Sequence, residues 1–238
     1  MRVLGLPVDP VDRCGMLDRV EGLVQRGNAT VAYLNVHVAN RACAHPELAE
    51  FLQGVDLCYA DGAGVVLGAR LLGHEVPERM TGADWIWDLA ARCEGRYRLA
   101  WIGGAEGITQ RAADTLVARH PSLEVWTTHG FHADHAVPAV LDDCNDFAPH
   151  IVLVGMGTPV QERWVARWRS SISAPVVWCT GATADFVSGE TPRGPEWLHQ
   201  RQEWLARLVV DPRRLWGRYL VGNPLFLARV LRERAGRG

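Results

Sequence analysis

The chain of 238 residues contains no lysine, so all 25 of its basic residues are arginines. It also lacks three signatures that would indicate particular enzyme classes. It has no G-x-G-x-x-G dinucleotide fingerprint, no G-x-S-x-G nucleophile elbow and no D-x-D pair for a nucleotide-bound metal ion. These absences disfavour an oxidoreductase, a serine hydrolase and a transfer mechanism that depends on a divalent cation.

Long apolar runs are missing as well. The segment from Met1 to Val24 is interrupted by four acidic residues and has no signal-peptide core. No stretch approaches the roughly 18 to 20 apolar residues needed to cross a bilayer. The six cysteines include no C-x-x-C pair, which predicts free thiols in a reducing cytoplasm. We therefore expect a cytoplasmic protein that does not span a membrane, although it could lie on one.

Strand-like apolar runs alternate with amphipathic helical segments over most of the chain. This alternation predicts an α/β fold with a mostly parallel sheet covered by helices on both faces. The predicted strands are Thr30–Val36, Asp56–Ala60, Tyr97–Ile102, Leu123–Thr127, His150–Val154 and Pro175–Cys179. The predicted helices are Val38–Leu52, Ala63–Leu72, Ala83–Glu94, Gly107–His120, Ala136–Asp146 and Pro159–Ser170.

The pattern changes at Gly189, beyond which only helical segments punctuated by proline follow. We predict an α/β domain at 1–189 and a basic helical C-terminal appendage at 190–238. From Arg193 to the end, ten arginines face four acidic residues, a net charge of +6, whereas the rest of the chain carries −8. Such a basic end indicates an anionic partner.

Glycines follow several of the predicted strands. Gly155 and Gly157 follow one, with Gln161 and Glu162 expected to face the opening that a ligand enters. Gly103 and Gly104 follow another. Free backbone N–H groups at such a junction suit a diphosphate, and a tight strand-to-helix turn explains the two glycines equally well.

Two aspartates also follow predicted strands. Asp61, in Tyr59-Ala60-Asp61-Gly62, is placed to act as a general base at a strand tip or, alternatively, to cap the next helix. Asp185, after Gly181, is placed to hydrogen-bond the backbone or a ligand.

The segment from His129 to His135 contains three histidines and Asp134. Imidazole and carboxylate suit zinc, but the segment lacks the i, i+4 spacing of a hydrolytic zinc helix. We therefore predict a solvated loop bordering the substrate and no metal site.

Taken in order, these motifs resemble the WecG/TagA/CpsF glycosyltransferases, family 26 of the glycosyltransferases. The resemblance extends over about residues 28 to 226. The segments that carry it are Asp61-Gly62 with Gly64, Arg79-Met80-Thr81-Gly82-Ala83-Asp84, Gly103-Gly104 with Gly107, Gly155-x-Gly157-x-Pro159-x-Gln161-Glu162, Asp185-Phe186-x-x-Gly189, Glu203-Trp204-Leu205-x-Arg207, Pro212-x-Arg214 and Arg218-Tyr219.

The resemblance implies a Rossmann-like domain and an inverting transfer of a sugar from a UDP-sugar to N-acetylglucosamine on a polyprenyl diphosphate. The donor sugar would be of the N-acetylmannosamine type or a related hexose. Asp61 would be the base, Asn35 and Arg79 would line the pocket, and Gln161 would help hold the nucleotide. Three tail arginines would face the diphosphates: Arg207, Arg214 and Arg218.

The implied partners are the UDP-sugar, the lipid-linked acceptor and an anionic membrane surface on the inner face of the cell membrane. We expect no cofactor, no metal and no nucleic acid, and we leave a homo-oligomer open. The alternative is a nucleotide-binding module without catalysis, which would not need Asp61. Two positions depart from the family pattern: Tyr33 stands where threonine is common, and Val160 stands where lysine is common.

Overall fold

The computed structural model describes residues 1–190 and 220–236 of the chain. The predicted α/β architecture is confirmed, with a sheet of six parallel strands at its centre. An antiparallel hairpin, β1 (Arg2–Val3) and β2 (Leu6–Pro7), precedes it. The predicted site residues Arg207, Arg214 and Arg218 lie outside the described residues. So does most of the appendage that we predict to begin at residue 190.

All six predicted strands are present, and each predicted end lies within two residues of the observed one. They are β3 (Ala29–Leu34), β4 (Leu57–Ala60), β5 (Leu99–Gly103), β6 (Val125–Thr128), β7 (Ile151–Gly155) and β8 (Val176–Cys179). Their order across the sheet is β4-β3-β8-β7-β5-β6. Strands β4, β5, β7 and β8 are buried along their whole length, as expected when both faces are covered.

The helices form two layers, one on each face of the sheet. One layer comprises α1 (Arg13–Arg26), α5 (Gly82–Cys93), α6 (Ile108–Val117) and α9 (Thr183–Val187). The other comprises α2 (Val36–Ala42), α3 (Pro46–Gln53), α4 (Ala63–Leu71), α7 (Val137–Asp146), α8 (Val160–Trp168) and the C-terminal helix α10 (Gly222–Ala235). The first layer centres on aromatic rings, with Trp85 stacked on Trp178 at 4.1 Å between ring centroids.

The prediction of one helix over Val38–Leu52 is wrong, because the segment forms two helices, α2 and α3. Pro46 is the first residue of α3, and a residue before proline disfavours helical backbone angles. His45 accordingly adopts an extended conformation and separates the two helices.

The C-terminal helix α10 packs on α2 and α4. Phe226 and Val230 are buried against Gly68 of α4, where a side chain would collide with the Phe226 ring. Arg229 donates 2.7 Å to Asn40 Oδ1 of α2, and Glu233 Oε2 accepts from the Leu4 backbone N–H at 2.8 Å. The end of the chain thus completes the core of the α/β domain.

The helices of residues 1–190 and 220–236 include none that is both long enough and apolar enough to cross a membrane. All six cysteines are free, as predicted, and four of them are buried.

The burial of Phe226 yields a stability prediction. Phe226→Ala should destabilise the protein by about 3–5 kcal/mol, because it empties a filled space between α4 and α10. Leu225→Ala, at a neighbouring side chain that is 43% exposed, is the control and should change stability by less than about 1 kcal/mol. Urea unfolding of both variants measures the two changes in stability. A loss of stability in Phe226→Ala as small as that in Leu225→Ala would show that the packing of α10 does not stabilise the domain.

Candidate functional site

The predicted site residues that lie within residues 1–190 gather at the carboxyl edge of the sheet, because parallel strands all end there. The connection after β5 leads to β6 on one side, whereas the connection after β7 leads to β8 on the other. Adjacent strands whose connections diverge open a crevice between them, and ligands of α/β proteins bind there. Four strand spacings separate β4 from β5, roughly 19 Å at about 4.8 Å per spacing, so the edge suits an elongated ligand.

Asp61 stands at the end of β4, directly beside the end of β3. Its backbone N–H donates 2.8 Å to Leu34 O, and its Oδ2 atom accepts from Asn35 Nδ2 at 2.8 Å. The Asn35 Oδ1 atom accepts from the Val38 N–H at 2.9 Å and caps α2. Helix α2 therefore fixes the asparagine, and the asparagine orients the aspartate.

The possibility that Asp61 caps the following helix is not realised. The N-cap of α4 is Gly62 and not Asp61, and glycine has no side chain that could accept a capping hydrogen bond. Gly62 has φ +83°, a left-handed conformation that glycine adopts without strain. The turn at Gly62 leaves the Asp61 carboxylate, half-buried, at the sheet edge rather than over the helix.

Arg79 reaches the same corner through its neighbour Met80. Met80 forms a parallel bridge with Asp61, and the Gly62 N–H donates 2.9 Å to Met80 O. Arg79 itself is exposed. The structure therefore brings together Asn35, Asp61 and the segment that carries Arg79, although they are up to 44 positions apart in the chain.

A second corner forms where β5 and β7 end. The Gly104 N–H donates 2.9 Å to Gly155 O, and a side chain at Gly103 would collide with the Gly155 backbone. Gly104 has φ +62° and lies so close to Ile108 that a Cβ atom would be 2.9 Å from that side chain. This crowding makes the turn between β5 and α6 tight. In the neighbouring loop, after β7, Gly157 has φ +74°.

Gln161 and Glu162 lie at the start of α8, and the prediction that they face the opening is wrong. Both are buried, Gln161 fully and Glu162 with 3% of its surface exposed. Gln161 Oε1 accepts from the Gly181 N–H at 2.9 Å, and Gln161 Nε2 donates 2.9 Å to Glu162 Oε1 and 3.4 Å to the Tyr33 hydroxyl. Gln161 thus links the ends of β3, β7 and β8, and its role toward a nucleotide stays a prediction.

Asp185 is half-buried on the short helix α9, which follows β8. The start of this helix packs against the start of α5, where a side chain at Gly82 would collide with the Thr183 hydroxyl. Asp185 therefore lies at the sheet edge on the face that carries α5, and its contact with a ligand stays a prediction.

The histidine-rich loop follows β6 on the far side of the crevice. The rings of His129 and His132 stack at 3.8 Å between centroids, and burial together with the neighbouring His129 lowers the pKa of His132. Gly130 packs against Gly103, so the loop borders the glycine corner. Within the described parts of the chain, no three His, Cys, Asp or Glu side chains are grouped to hold a metal ion.

Sequence reasoning missed two features of the site. It did not anticipate that Asn35 both caps α2 and binds Asp61; the cap itself has a local signal, since asparagine directly before an apolar helical segment is a preferred N-cap. It also did not anticipate the burial of Glu162, for which the sequence carries no signal because a glutamate in a first helical turn is ordinarily exposed.

The fold is that of an α/β protein with a candidate ligand site at the carboxyl edge of its sheet, where a topological switch point lies between β5 and β7. The chain belongs to the Glycosyl transferase WecG/TagA/CpsF family, whose family model matches residues 1–238. It is therefore a glycosyltransferase, and the alternative of a nucleotide-binding module without catalysis is not retained.

Among curated proteins, the chain is similar to N-acetylglucosaminyldiphosphoundecaprenol N-acetyl-beta-D-mannosaminyltransferases of Staphylococcus aureus. For strain NCTC 8325 / PS 47, the two sequences are 23% identical over 237 residues, covering 98% of this chain and 92% of the relative. The proteins of strains COL and MSSA476 match with the same identity and coverage.

The dual role of Asn35 can be tested with a substitution that separates its two hydrogen bonds. Asn35→Ser should keep the cap of α2, since serine is an equally good N-cap, and change stability by less than about 1 kcal/mol. It removes the amide donor to Asp61, so turnover in sugar transfer should fall by about tenfold or more. Asn35→Ala, which also removes the cap, is the comparison. Full turnover in Asn35→Ser would mean that the bond to Asp61 is dispensable.

Proposed function

We propose that this glycosyltransferase moves a sugar from a UDP-sugar, with inversion, to an N-acetylglucosamine carried on a polyprenyl diphosphate. The donor sugar is of the N-acetylmannosamine type or a related hexose, and the product serves cell-surface polysaccharide biosynthesis. The observation that carries the proposal is the Asp61 carboxylate, held by Asn35 at the sheet edge and not used as a helix cap. The staphylococcal relatives are N-acetyl-beta-D-mannosaminyltransferases that act on N-acetylglucosaminyldiphosphoundecaprenol, which supports the choice of acceptor and sugar.

In this reaction Asp61 accepts the proton of the acceptor hydroxyl. The hydroxyl oxygen forms a bond to the anomeric carbon of the donor sugar as the bond from that carbon to the UDP oxygen breaks. A single displacement of this kind inverts the anomeric configuration. A carboxylate at a strand tip suits the task, because a general base must come within hydrogen-bond reach of the proton that it removes.

The leaving UDP carries negative charge that the protein must stabilise. We assign the nucleotide diphosphate to the loops that lead from Gly103-Gly104 to the start of α6 and from Gly155–Gly157 to the start of α8, because helix N-termini offer backbone N–H groups to anions. We assign the reacting sugar to the corner of Asp61 and Arg79. The tail arginines Arg207, Arg214 and Arg218 would face the diphosphates. Arginine supplies fixed positive charge there, so we propose transfer without a metal ion or other cofactor.

A lipid-linked acceptor requires the enzyme to work at a membrane surface. We propose that it is cytoplasmic and peripheral on the inner face of the membrane, attracted by its basic tail, since each basic residue gains about 1 kcal/mol near an anionic leaflet. On α10 and just before it, Leu220, Val221, Leu225 and Leu231 are exposed and could reach the lipid interface, whereas Phe226 and Val230 are buried and could not.

The reaction is tested by UDP release from purified protein supplied with a panel of UDP-sugars and the lipid-linked acceptor, in the presence of EDTA. Release should require both substrates and persist with the chelator. Asp61→Asn should bind UDP as well as the parent but turn over at least about a hundredfold more slowly, because the base is lost.

Asp142→Asn, at an exposed aspartate of α7, is the matched control and should retain full turnover. Normal turnover of a folded Asp61→Asn variant would remove Asp61 as the base. Absence of release with every UDP-sugar would remove the donor assignment, and loss of release with EDTA that manganese restores would remove metal independence.

Substitutions in the C-terminal appendage can separate an electrostatic role of its arginines from a structural one. Arg214→Ala and Arg218→Ala should lower turnover and binding to anionic vesicles while thermal stability stays nearly constant, because a clamp on a leaving diphosphate acts in the transition state. Vesicle binding should weaken further with added salt, which screens exposed charges beyond about 8–10 Å. The exposed Arg232 of α10 provides a matched control, Arg232→Ala.

Two results would contradict this assignment. Unfolding of Arg214→Ala or Arg218→Ala would give these arginines a structural role instead. Equal losses in Arg232→Ala and in the two test variants would mean that general positive charge, and not a clamp at the site, supports turnover.

A further inference from the structure

We propose that Glu162 is a positioning residue, a neutral carboxylic acid whose carbonyl oxygen locks the Gln161 amide in one orientation and so fixes the loops after β7 and β8. Its effect on turnover rests on the proposed function, but its protonation and its hold on Gln161 do not.

The orientation of Gln161 follows from a donor that cannot change roles. The Gly181 backbone N–H, 2.9 Å away, can only donate, so the atom that faces it must be the amide oxygen of Gln161. The amide nitrogen then points to Glu162 Oε1 at 2.9 Å and must find an acceptor there. The Thr158 hydroxyl, at 2.8 Å, donates to the same oxygen. Glu162 Oε1 therefore serves as a carbonyl-type acceptor of two hydrogen bonds.

The surroundings of the other Glu162 oxygen, Oε2, indicate that the side chain is protonated. Oε2 is buried, and among the described residues it has no hydrogen-bond partner. A carboxylate with a bare oxygen in such a site loses its hydration without compensation, which is far more costly than burying the neutral acid. Burial raises the pKa of Glu162 accordingly, and the bonds from Gln161 and Thr158 offset the rise only in part.

Among the described residues, the charged and titratable groups around Glu162 include no counter-ion for it. On β8, burial raises the pKa of the Cys179 thiol well above its usual value, so this thiol stays uncharged. From β3, the Tyr33 hydroxyl accepts from the Gln161 amide nitrogen at 3.4 Å. On α3, Glu47 pairs with Arg163 at 2.9 Å on the exposed side of α8. Within the described chain no basic side chain pairs with Glu162.

The consequence lies at the sheet edge. Gln161 bonds to Gly181 in the loop after β8, and Glu162 bonds to Thr158 in the loop after β7, two neighbouring strands. If Glu162 were replaced by a residue without an acceptor, the amide would lose its fixed partner and could turn away from Gly181. The loop that carries Gly157 would then no longer be held against Gly181.

The first test is direct and needs no substrate. Infrared spectra of the folded protein near neutral pH should contain the C=O stretching band of a protonated, buried carboxylic acid, and Glu162→Gln should lack it. A matched glutamate variant, Glu50→Gln, exchanges a residue of α3 that is mostly exposed and should leave the band unchanged. Absence of the band in the parent protein would overturn the proposal.

The second test uses the pH dependence of stability. The folded pKa of Glu162 lies above its usual value of 4.5, so its stabilising contribution is complete below that value and is lost as pH rises through the folded pKa. Glutamine imitates the neutral acid at every pH. The difference in melting temperature, Glu162→Gln minus parent, should therefore grow as pH rises from about 5 and then level off. Parallel curves would contradict a raised pKa.

The third test isolates positioning. Glu162→Gln retains a carbonyl acceptor, so hydrogen exchange at the Gly181 amide should stay slow and UDP affinity should stay within about threefold of the parent. Glu162→Leu removes the acceptor, so exchange at Gly181 should accelerate and UDP should bind about tenfold or more weakly.

Equal exchange at Gly181 in a folded Glu162→Leu variant would refute positioning. If that variant does not fold, Glu162→Gln still decides, because loss of Gly181 protection there would also refute it. Failure of the parent to bind UDP would count against the proposed function alone, since the infrared, stability and exchange measurements need no ligand.

Discussion

Parallel pairing of the six central strands is the constraint on which the rest of the molecule depends. It sends every strand in the same direction, so every strand-to-helix junction lies at one edge. Residues as distant in sequence as Asn35, Gly103 and Gly181 thereby come to share a surface. The same pairing requires a crossover helix between successive strands, and these helices bury both faces of the sheet. The site is therefore a product of sheet topology before any side chain is considered.

At that edge the protein fixes its functional groups with buried hydrogen bonds between neighbouring strands. Asn35 links the end of β3 to Asp61 at the end of β4, and Gln161 links Tyr33 at the end of β3 to Gly181 at the end of β8. Each amide uses both its oxygen and its nitrogen, which leaves it one orientation. Polar groups held in this way need little reorganisation when charge develops in a reaction, and such preorganisation is a main source of enzymatic rate enhancement.

The sequence was sufficient for the six central strands and for helices α4 to α8, because apolar runs and helical periodicity are local signals. It also placed Asp61 and Gly103 correctly at strand ends. It did not determine which way the Gln161 and Glu162 side chains point, since the rotation of α8 about its axis is set by packing on the sheet. Nor did it reveal the bond from Asn35 to Asp61, which joins two strand ends 26 residues apart and exists only after β3 and β4 have paired.

Positive charge is distributed unevenly between the first 190 residues and the rest of the chain. Counting only pairs in which both partners are described, eight of the fifteen arginines in the first 190 residues form ion pairs with carboxylates: Arg13, Arg19, Arg26, Arg92, Arg96, Arg111, Arg163 and Arg167. Others are engaged differently, as Arg169 is with backbone carbonyls and Arg119 is with the Trp87 ring. An acidic domain whose arginines are largely occupied has few cations left for two diphosphates. The ten arginines beyond residue 190, with only four acidic residues among them, are the remaining source, and this is why we look to that segment for the charge that the reaction requires.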